Sequence, residues 1–120
     1  MLKALVITTL LLGTSLIAQE LSGRWKGGFK AEGGDHGISQ LIILHQNGNQ
    51  LTGSGGPDDS EQYPIENGTV NGDKIHFELT TARSKFFYDL KKTESDLNGT
   101  MEIKSVNRVS NATVNLTKEK

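Results

Sequence analysis

From residue 21 onward, apolar side chains recur at every second position, and short clusters of Gly, Asn and Asp interrupt them at close intervals. Successive side chains of a β-strand point to opposite faces, so a period of two predicts strands with one buried face. The segments Asn-Gly-Asn at 47–49 and Asn-Gly-Asp at 71–73 are typical of tight hairpin turns. The pattern predicts an all-β protein of about eight strands, with no amphipathic helix.

The short links between these segments favour antiparallel pairing of neighbours, which makes an up-and-down meander the simplest topology. An open meander would leave two unpaired edges, and pairing the first strand with the last removes them. We therefore predict a small closed barrel. Residues 38–45 are apolar at both odd and even positions, which indicates a strand that is covered on both faces.

The N-terminal segment has the order of a secretory signal peptide. Lys3 precedes an apolar stretch over residues 4–17, and Ala18 then precedes polar Gln19 and Glu20. The apolar stretch is shorter than the roughly 20 residues of a membrane-spanning helix. We expect a signal-peptide helix at 1–18, a single barrel domain at 19–120, and a secreted or periplasmic protein with no stable membrane insertion after cleavage.

Composition excludes several kinds of function. The chain has no cysteine, which removes disulfides, thiolate metal sites and thiol catalysis. Its 13 basic and 14 acidic side chains give a formal net charge of −1, with no basic patch that would favour nucleic acid. Because the chain can form no disulfide, the barrel must be held together by packing and backbone pairing alone.

The opening strand, Leu-Ser-Gly-Arg-Trp-Lys-Gly from residue 21, resembles the Gly-x-Trp first strand of lipocalin- and avidin-like barrels, the calycin group. Gly23 and Trp25 are the matching residues. The resemblance implies that Trp25 closes one end of the barrel and that a basic residue near the last strand, here Arg108, packs over it. The chain is also similar to small β-barrel domains that bacteria export. Biotin-binding members have several pocket tryptophans, whereas this chain has only Trp25, so biotin is not expected.

The aromatic residues are the candidates for a binding site. Six of them fall on predicted inward positions: Trp25, Phe29, Tyr63, Phe77, Phe86 and Tyr88. In a barrel of this size such residues fill the core, or some of them line a small apolar pocket. Phe87 has the opposite orientation, and an outward Phe beside the apolar strand at 38–45 suggests a contact surface for a partner.

Metal and catalytic sites are not predicted. The three histidines, His36, His45 and His76, have no ligand spacing, so neither a metal nor a cofactor is expected. The acids Asp58, Asp59 and Glu61 surround Ser60 in a loop, where oxygen ligands suit calcium, but a solvated acidic loop is the preferred interpretation. The strand acids Glu78, Asp89 and Glu102 fall on outer faces and do not pair across a cleft.

Two functions remain open. The first is an exported, non-catalytic module that binds a small apolar molecule within the barrel. The second is a module with a solid core that binds an extracytoplasmic protein or a glycan through its outer surface. The sequence favours the first without deciding between them.

Overall fold

The structure, a computed structural model, describes residues 21–119, and this range contains nine β-strands. They are β1 (Gly23–Ala31), β2 (Gly37–Asn47), β3 (Gln50–Asp58), β4 (Glu61–Pro64), β5 (Glu66–Asn71), β6 (Lys74–Thr80), β7 (Ser84–Lys92), β8 (Asp96–Ser105) and β9 (Arg108–Lys118). Within these residues, no helix is long and apolar enough to cross a membrane. The predicted signal-peptide helix at 1–18 lies outside the described residues.

The sheet closes on itself. All strand pairings are antiparallel, and β1 pairs with both β2 and β9. The register along the closing seam runs from Trp25 opposite Lys118 to Ala31 opposite Ala112. Strand β2 also pairs with β3, so the backbone hydrogen bonding continues around the whole circumference. The predicted closed antiparallel meander is confirmed.

Strands β4 and β5 form a single interrupted strand between β3 and β6. Pro64 of β4 lies opposite Ser54, and Gly68 of β5 lies opposite Leu51, so both segments pair with β3. Ile65 separates them and donates its backbone N–H to the carbonyl of Gly53 at 2.9 Å. The barrel is therefore eight-stranded, in agreement with the prediction from the sequence.

The two tight turns occur where the sequence predicts them. In each turn a glycine occupies the first central position with positive φ: Gly48 at 63° and Gly72 at 65°. Glycine at that position is typical of the type II′ turn, whose twist matches that of the flanking strands. These hairpins fix the register of β2 with β3 and of β5 with β6.

The core lies inside the barrel and follows the alternation of the strands. Its largest fully buried side chains are Trp25, Ile42, Ile75, Phe77, Tyr88, Leu97, Met101 and Leu116. The rings of Phe77 and Tyr88 are stacked, with centroids 4.4 Å apart. Burial of these side chains is the main favourable contribution to folding, because the chain has no covalent cross-link.

Strand β2 is covered on both faces, as its two-sided apolar pattern predicts. Ile42 points into the barrel and is fully buried, whereas Leu41 points outward and is still only 3% exposed. The tip of the β3–β4 hairpin reaches across β2, since Asp59 pairs with Arg24 of β1 at 3.0 Å. In the same hairpin, Gln62 of β4 donates a hydrogen bond to the carbonyl of Leu41 at 3.1 Å.

Candidate functional site

The two ends of the barrel differ in structure. The end that contains the start of β1, the end of β9 and the β2–β3 turn is called the closed end below. The opposite end contains the β1–β2 loop, the β3–β4 hairpin, and the β6–β7 and β8–β9 turns, and is called the open end. At the open end a cavity lies between aromatic side chains inside the barrel. At the closed end Trp25 blocks the axis, and a depression of about 510 Å³ lies outside it, lined by Trp25, Lys118 and the β7–β8 turn.

Trp25 fills the closed end. Its side chain is 1% exposed, and its Nε1 donates a hydrogen bond to the carbonyl of Leu21 at 2.9 Å. The Lys118 ammonium lies 5.9 Å from the centroid of the ring, within the range of a cation–π contact. Gly23 has a φ of 142°, and a Cβ at this position would lie 2.8 Å from Cε of Lys118. The missing side chain therefore leaves room for the lysine.

The role that the resemblance assigned to Arg108 is corrected by the register. Arg108 begins β9 and lies opposite Ser105, at the open end. Lys118, ten residues further along β9, lies opposite Trp25. At about 3.3 Å per residue, Arg108 is roughly 33 Å along the strand from Lys118 and is out of reach of Trp25. The basic residue over the tryptophan is Lys118.

The open end contains a partly enclosed cavity of about 420 Å³. Four of the six aromatic residues singled out in the sequence line it: Phe29, Tyr63, Phe86 and Tyr88. Ile38 and Leu79 complete the apolar wall. The cavity falls within the range of about 300–1,000 Å³ that is typical of small-molecule sites.

The other two predicted residues lie away from the cavity. Phe77 is fully buried beneath it, where its ring stacks on Tyr88. Trp25 belongs to the closed end. The structure thus divides the predicted set into four residues that line a cavity and two that fill the core.

The floor of the cavity is polar but uncharged. The hydroxyl of Tyr88 donates a short hydrogen bond to Oε1 of Gln40. Burial raises the pKa of Tyr88 well above its usual range, although the hydrogen bond to Gln40 opposes the shift, so the phenol stays neutral. Gln40 is only 9% exposed. Sequence reasoning missed Gln40, although a glutamine at an inward position of an apolar strand was an available signal.

The rim of the cavity carries the charged groups. Glu61 accepts a hydrogen bond from the hydroxyl of Tyr63 at 2.5 Å, and this bond raises the pKa of Tyr63. Arg83 lies on the exposed β6–β7 turn. A molecule that enters the cavity therefore passes charged and hydroxyl groups before it reaches aromatic and aliphatic walls.

A second polar cluster lies outside the barrel wall, on β6 and β7. His76 is placed between two carboxylates, with Nε2 2.7 Å from Oε2 of Glu78 and Nδ1 2.9 Å from Oδ1 of Asp89. Asn67 donates a further hydrogen bond to Glu78 at 3.0 Å, and the Lys85 ammonium lies 3.5 Å from the same carboxylate. Because the carboxylates contact opposite ring nitrogens, they do not converge on one point.

The cluster favours the charged form of its histidine. Partial burial lowers the pKa of His76, but the hydrogen bonds and negative charges of Glu78 and Asp89 outweigh it, and the net pKa is raised. The hydrogen bonds from His76 and Asn67 lower the pKa of the Glu78 carboxyl. Among residues 21–119, no group of three or more acidic or histidine side chains is arranged to hold a metal ion.

The carboxylates of the acidic loop after β3 form hydrogen bonds or ion pairs with neighbouring residues. Asp58 accepts hydrogen bonds from the backbone and hydroxyl of Ser60, at 2.9 and 2.6 Å. Asp59 pairs with Arg24, and Glu61 with Tyr63. The three carboxylates thus point toward different partners.

Phe87 faces outward as predicted, but it is not fully exposed. The ammonium groups of Lys85 and Lys104 lie 5.5 and 5.3 Å from the centroid of its ring. A partner that contacts Phe87 would have to displace both lysines. The large apolar side chains that are most exposed lie at the open end instead: Ile38, Val106 and Val109.

Comparison with protein-family models, with curated proteins and with solved structures finds no match for this chain. The closed eight-stranded barrel is compatible with a calycin-like fold. What the protein does must therefore be inferred from the residues of the barrel itself.

Proposed function

We propose that this protein is an exported, non-catalytic, lipocalin-like module that binds a small apolar molecule in the open end of its barrel. The observation that carries the proposal is the cavity of about 420 Å³ whose wall is formed by Phe29, Phe86, Ile38 and Leu79. A partly enclosed apolar pocket with a few polar groups is the usual form of a small-molecule site.

The structural difference between the two ends supports the proposal. Trp25 blocks the axis at the closed end, and the depression outside it is lined mostly by polar and charged residues, so an apolar ligand reaches the barrel interior from the open end. The resemblance to calycin barrels, which rests on Gly23 and Trp25, implies the same arrangement. Export is supported by the signal-peptide pattern at residues 1–18.

The test uses neighbouring residues of β7 that face opposite sides of the barrel wall. N-phenylnaphthylamine, an uncharged dye, should become fluorescent with the wild-type protein and raise its Tm in proportion to dye concentration. Phe86→Ala should weaken binding about three- to tenfold, because it removes one aromatic wall of the cavity. Phe87→Ala is the matched control and should bind like the wild type.

Two results would overturn the proposal. One is the absence of dye binding and of a thermal shift across a panel of uncharged apolar compounds. The other is an equal effect of Phe86→Ala and Phe87→Ala, which would locate the dye on the outer surface.

The second candidate function is docking of an extracytoplasmic protein or glycan. It is favoured by the β8–β9 hairpin, where Val106 and Val109 are 90% and 60% exposed. Exposed valines at a hairpin tip are suited to a contact surface. If the first function is correct, a Val106→Ser, Val109→Ser double variant should bind the dye like the wild type. If the second function is correct, the wild type should bind no dye, and the double variant should no longer bind the partner.

A further inference from the structure

Gln40 provides a hydrogen-bond donor at the floor of the open-end cavity. Its side chain is more than nine-tenths buried, and its Oε1 is occupied by the hydroxyl of Tyr88. Among the described residues, none accepts a hydrogen bond from its Nε2, and this atom is not sealed from solvent. We take these amide N–H groups to face the cavity, because Gln40 lines it and its Oε1 is bonded to Tyr88, which lines the cavity as well.

The surroundings of Gln40 restrict the acceptor that it can meet. Tyr88 is held neutral by burial, and its hydroxyl proton is already donated to Gln40. The charged residues that line the cavity, Glu61 and Arg83, lie at the rim and are exposed. A carboxylate at the floor would therefore be buried without a counter-ion, which is much more costly than burying a neutral carbonyl that receives a hydrogen bond.

We infer that the ligand is a neutral apolar molecule that carries a carbonyl group, such as a ketone, ester or amide. It enters carbonyl first, and the carbonyl oxygen accepts a hydrogen bond from Nε2 of Gln40 while the apolar body contacts Phe29, Leu79 and Phe86. This inference rests on the proposed function, because it names the ligand class of the same cavity.

The experiment compares three naphthalenes of similar size: acetylnaphthalene, ethylnaphthalene and naphthoate. Their dissociation constants are measured by calorimetry with the wild-type protein and with the double variant Gln40→Leu, Tyr88→Phe, because Gln40→Leu alone would free the Tyr88 hydroxyl to donate to the ligand in place of the amide. Tyr88→Phe alone gives the contribution of the lost hydroxyl. Gln46→Leu, on the same strand near the closed end, is the matched control.

Acetylnaphthalene should bind the double variant about three- to tenfold more weakly than it binds the wild type or Tyr88→Phe, because one net hydrogen bond is lost. Ethylnaphthalene should bind the wild type and the double variant equally or bind the double variant more tightly. Naphthoate should bind the wild type more weakly than acetylnaphthalene does. Gln46→Leu should leave the three constants unchanged.

The possible failures can be told apart. If the hydrocarbon and the ketone lose affinity equally in the double variant, or if naphthoate binds the wild type as tightly as the ketone, the carbonyl inference is wrong and the pocket remains. If none of the three compounds binds the wild type, the proposed function itself fails. If the double variant does not fold, infrared spectroscopy of the wild type decides. The carbonyl stretch of acetylnaphthalene bound to the wild type should lie below its frequency in hydrocarbon solvent, and an unchanged frequency would overturn the inference.

Discussion

The closed and open ends of this barrel are built from the same alternating strands but differ in what occupies the axis. At the closed end Trp25 is 1% exposed and lies beneath Lys118. At the open end Phe86 and Tyr63 remain partly exposed around a cavity. The closed end therefore contributes chiefly to stability, whereas the open end leaves apolar surface unburied that a ligand can cover.

Strand β3 helps to explain the difference. Its inward position nearest the closed end is Leu51, which is buried, and its next inward positions are Gly53 and Gly55. A Cβ at Gly55 would lie 2.7 Å from Cδ1 of Ile42 and 2.9 Å from Cδ1 of Leu79, so neighbouring strands fill this layer. Beyond it, toward the open end, β3 contributes no large apolar side chain to the axis.

Truncation at the closed end should have the largest effect on stability. Trp25→Ala removes a fully buried ring and its hydrogen bond to Leu21, and should lower the free energy of unfolding by about 3–5 kcal/mol. Urea unfolding measures this loss of free energy. It is followed by circular dichroism, because the variant has no tryptophan whose fluorescence would report unfolding. A loss below about 1 kcal/mol would show that this end is not the more tightly packed one.

Gly23→Ala tests the backbone next to Trp25. An alanine at a φ of 142° is strained, and we expect a loss of about 1–3 kcal/mol. The approach of its Cβ to Lys118 adds little, because the end of a lysine side chain can move. Gly37→Ala is the control, since a Cβ there meets only the Phe29 carbonyl at 3.8 Å, and it should change stability by less than about 0.5 kcal/mol. Equal losses would contradict the strain argument.

Truncation at the open end should cost less. Phe86→Ala removes a ring that is partly exposed and lines a cavity, so the free energy of unfolding should fall by only about 1–2 kcal/mol. The same urea titration measures this value. A loss as large as that of Trp25→Ala would remove the contrast between the two ends.

The smallest effect on stability is expected from replacing His76, which lies on the outer face of the barrel wall between the two ends. Its pKa is raised in the folded protein, so its stabilising contribution is present below the unfolded value of 6.5 and is lost as the pH rises through the folded value. Between about pH 6 and pH 8, the free energy of unfolding of the wild type should fall by less than about 1 kcal/mol relative to that of His76→Gln, because the cluster is partly exposed.

His36 and His45 are present in both proteins, so they do not affect this comparison. Parallel stability curves for the wild type and His76→Gln would show that the contacts with Glu78 and Asp89 contribute nothing in solution. Glu78 acts in the opposite direction: its pKa is lowered, so its contribution is lost only as the pH falls below the unfolded value of 4.5.

The predictability of the site differs from residue to residue. The inward positions of Phe29, Phe86 and Tyr88 follow from alternation alone, because a strand has only two faces. Which of the inward aromatic residues meet at a cavity depends on register, and Phe77 lines the core instead. Gln40 could have been suspected as a polar residue in an apolar strand, but its partner Tyr88 is 48 residues away.

By itself the sequence determined the period of two, the hairpin turns at Gly48 and Gly72, and hence an antiparallel barrel of about eight strands. These features are local, because they depend on side-chain alternation and on the φ angles that glycine adopts. Only the tertiary structure decided that Lys118 rather than Arg108 covers Trp25, and that Gln40 meets Tyr88. Such contacts join strands that are distant in the chain, and a shift of two residues in register would replace them while leaving the alternation intact.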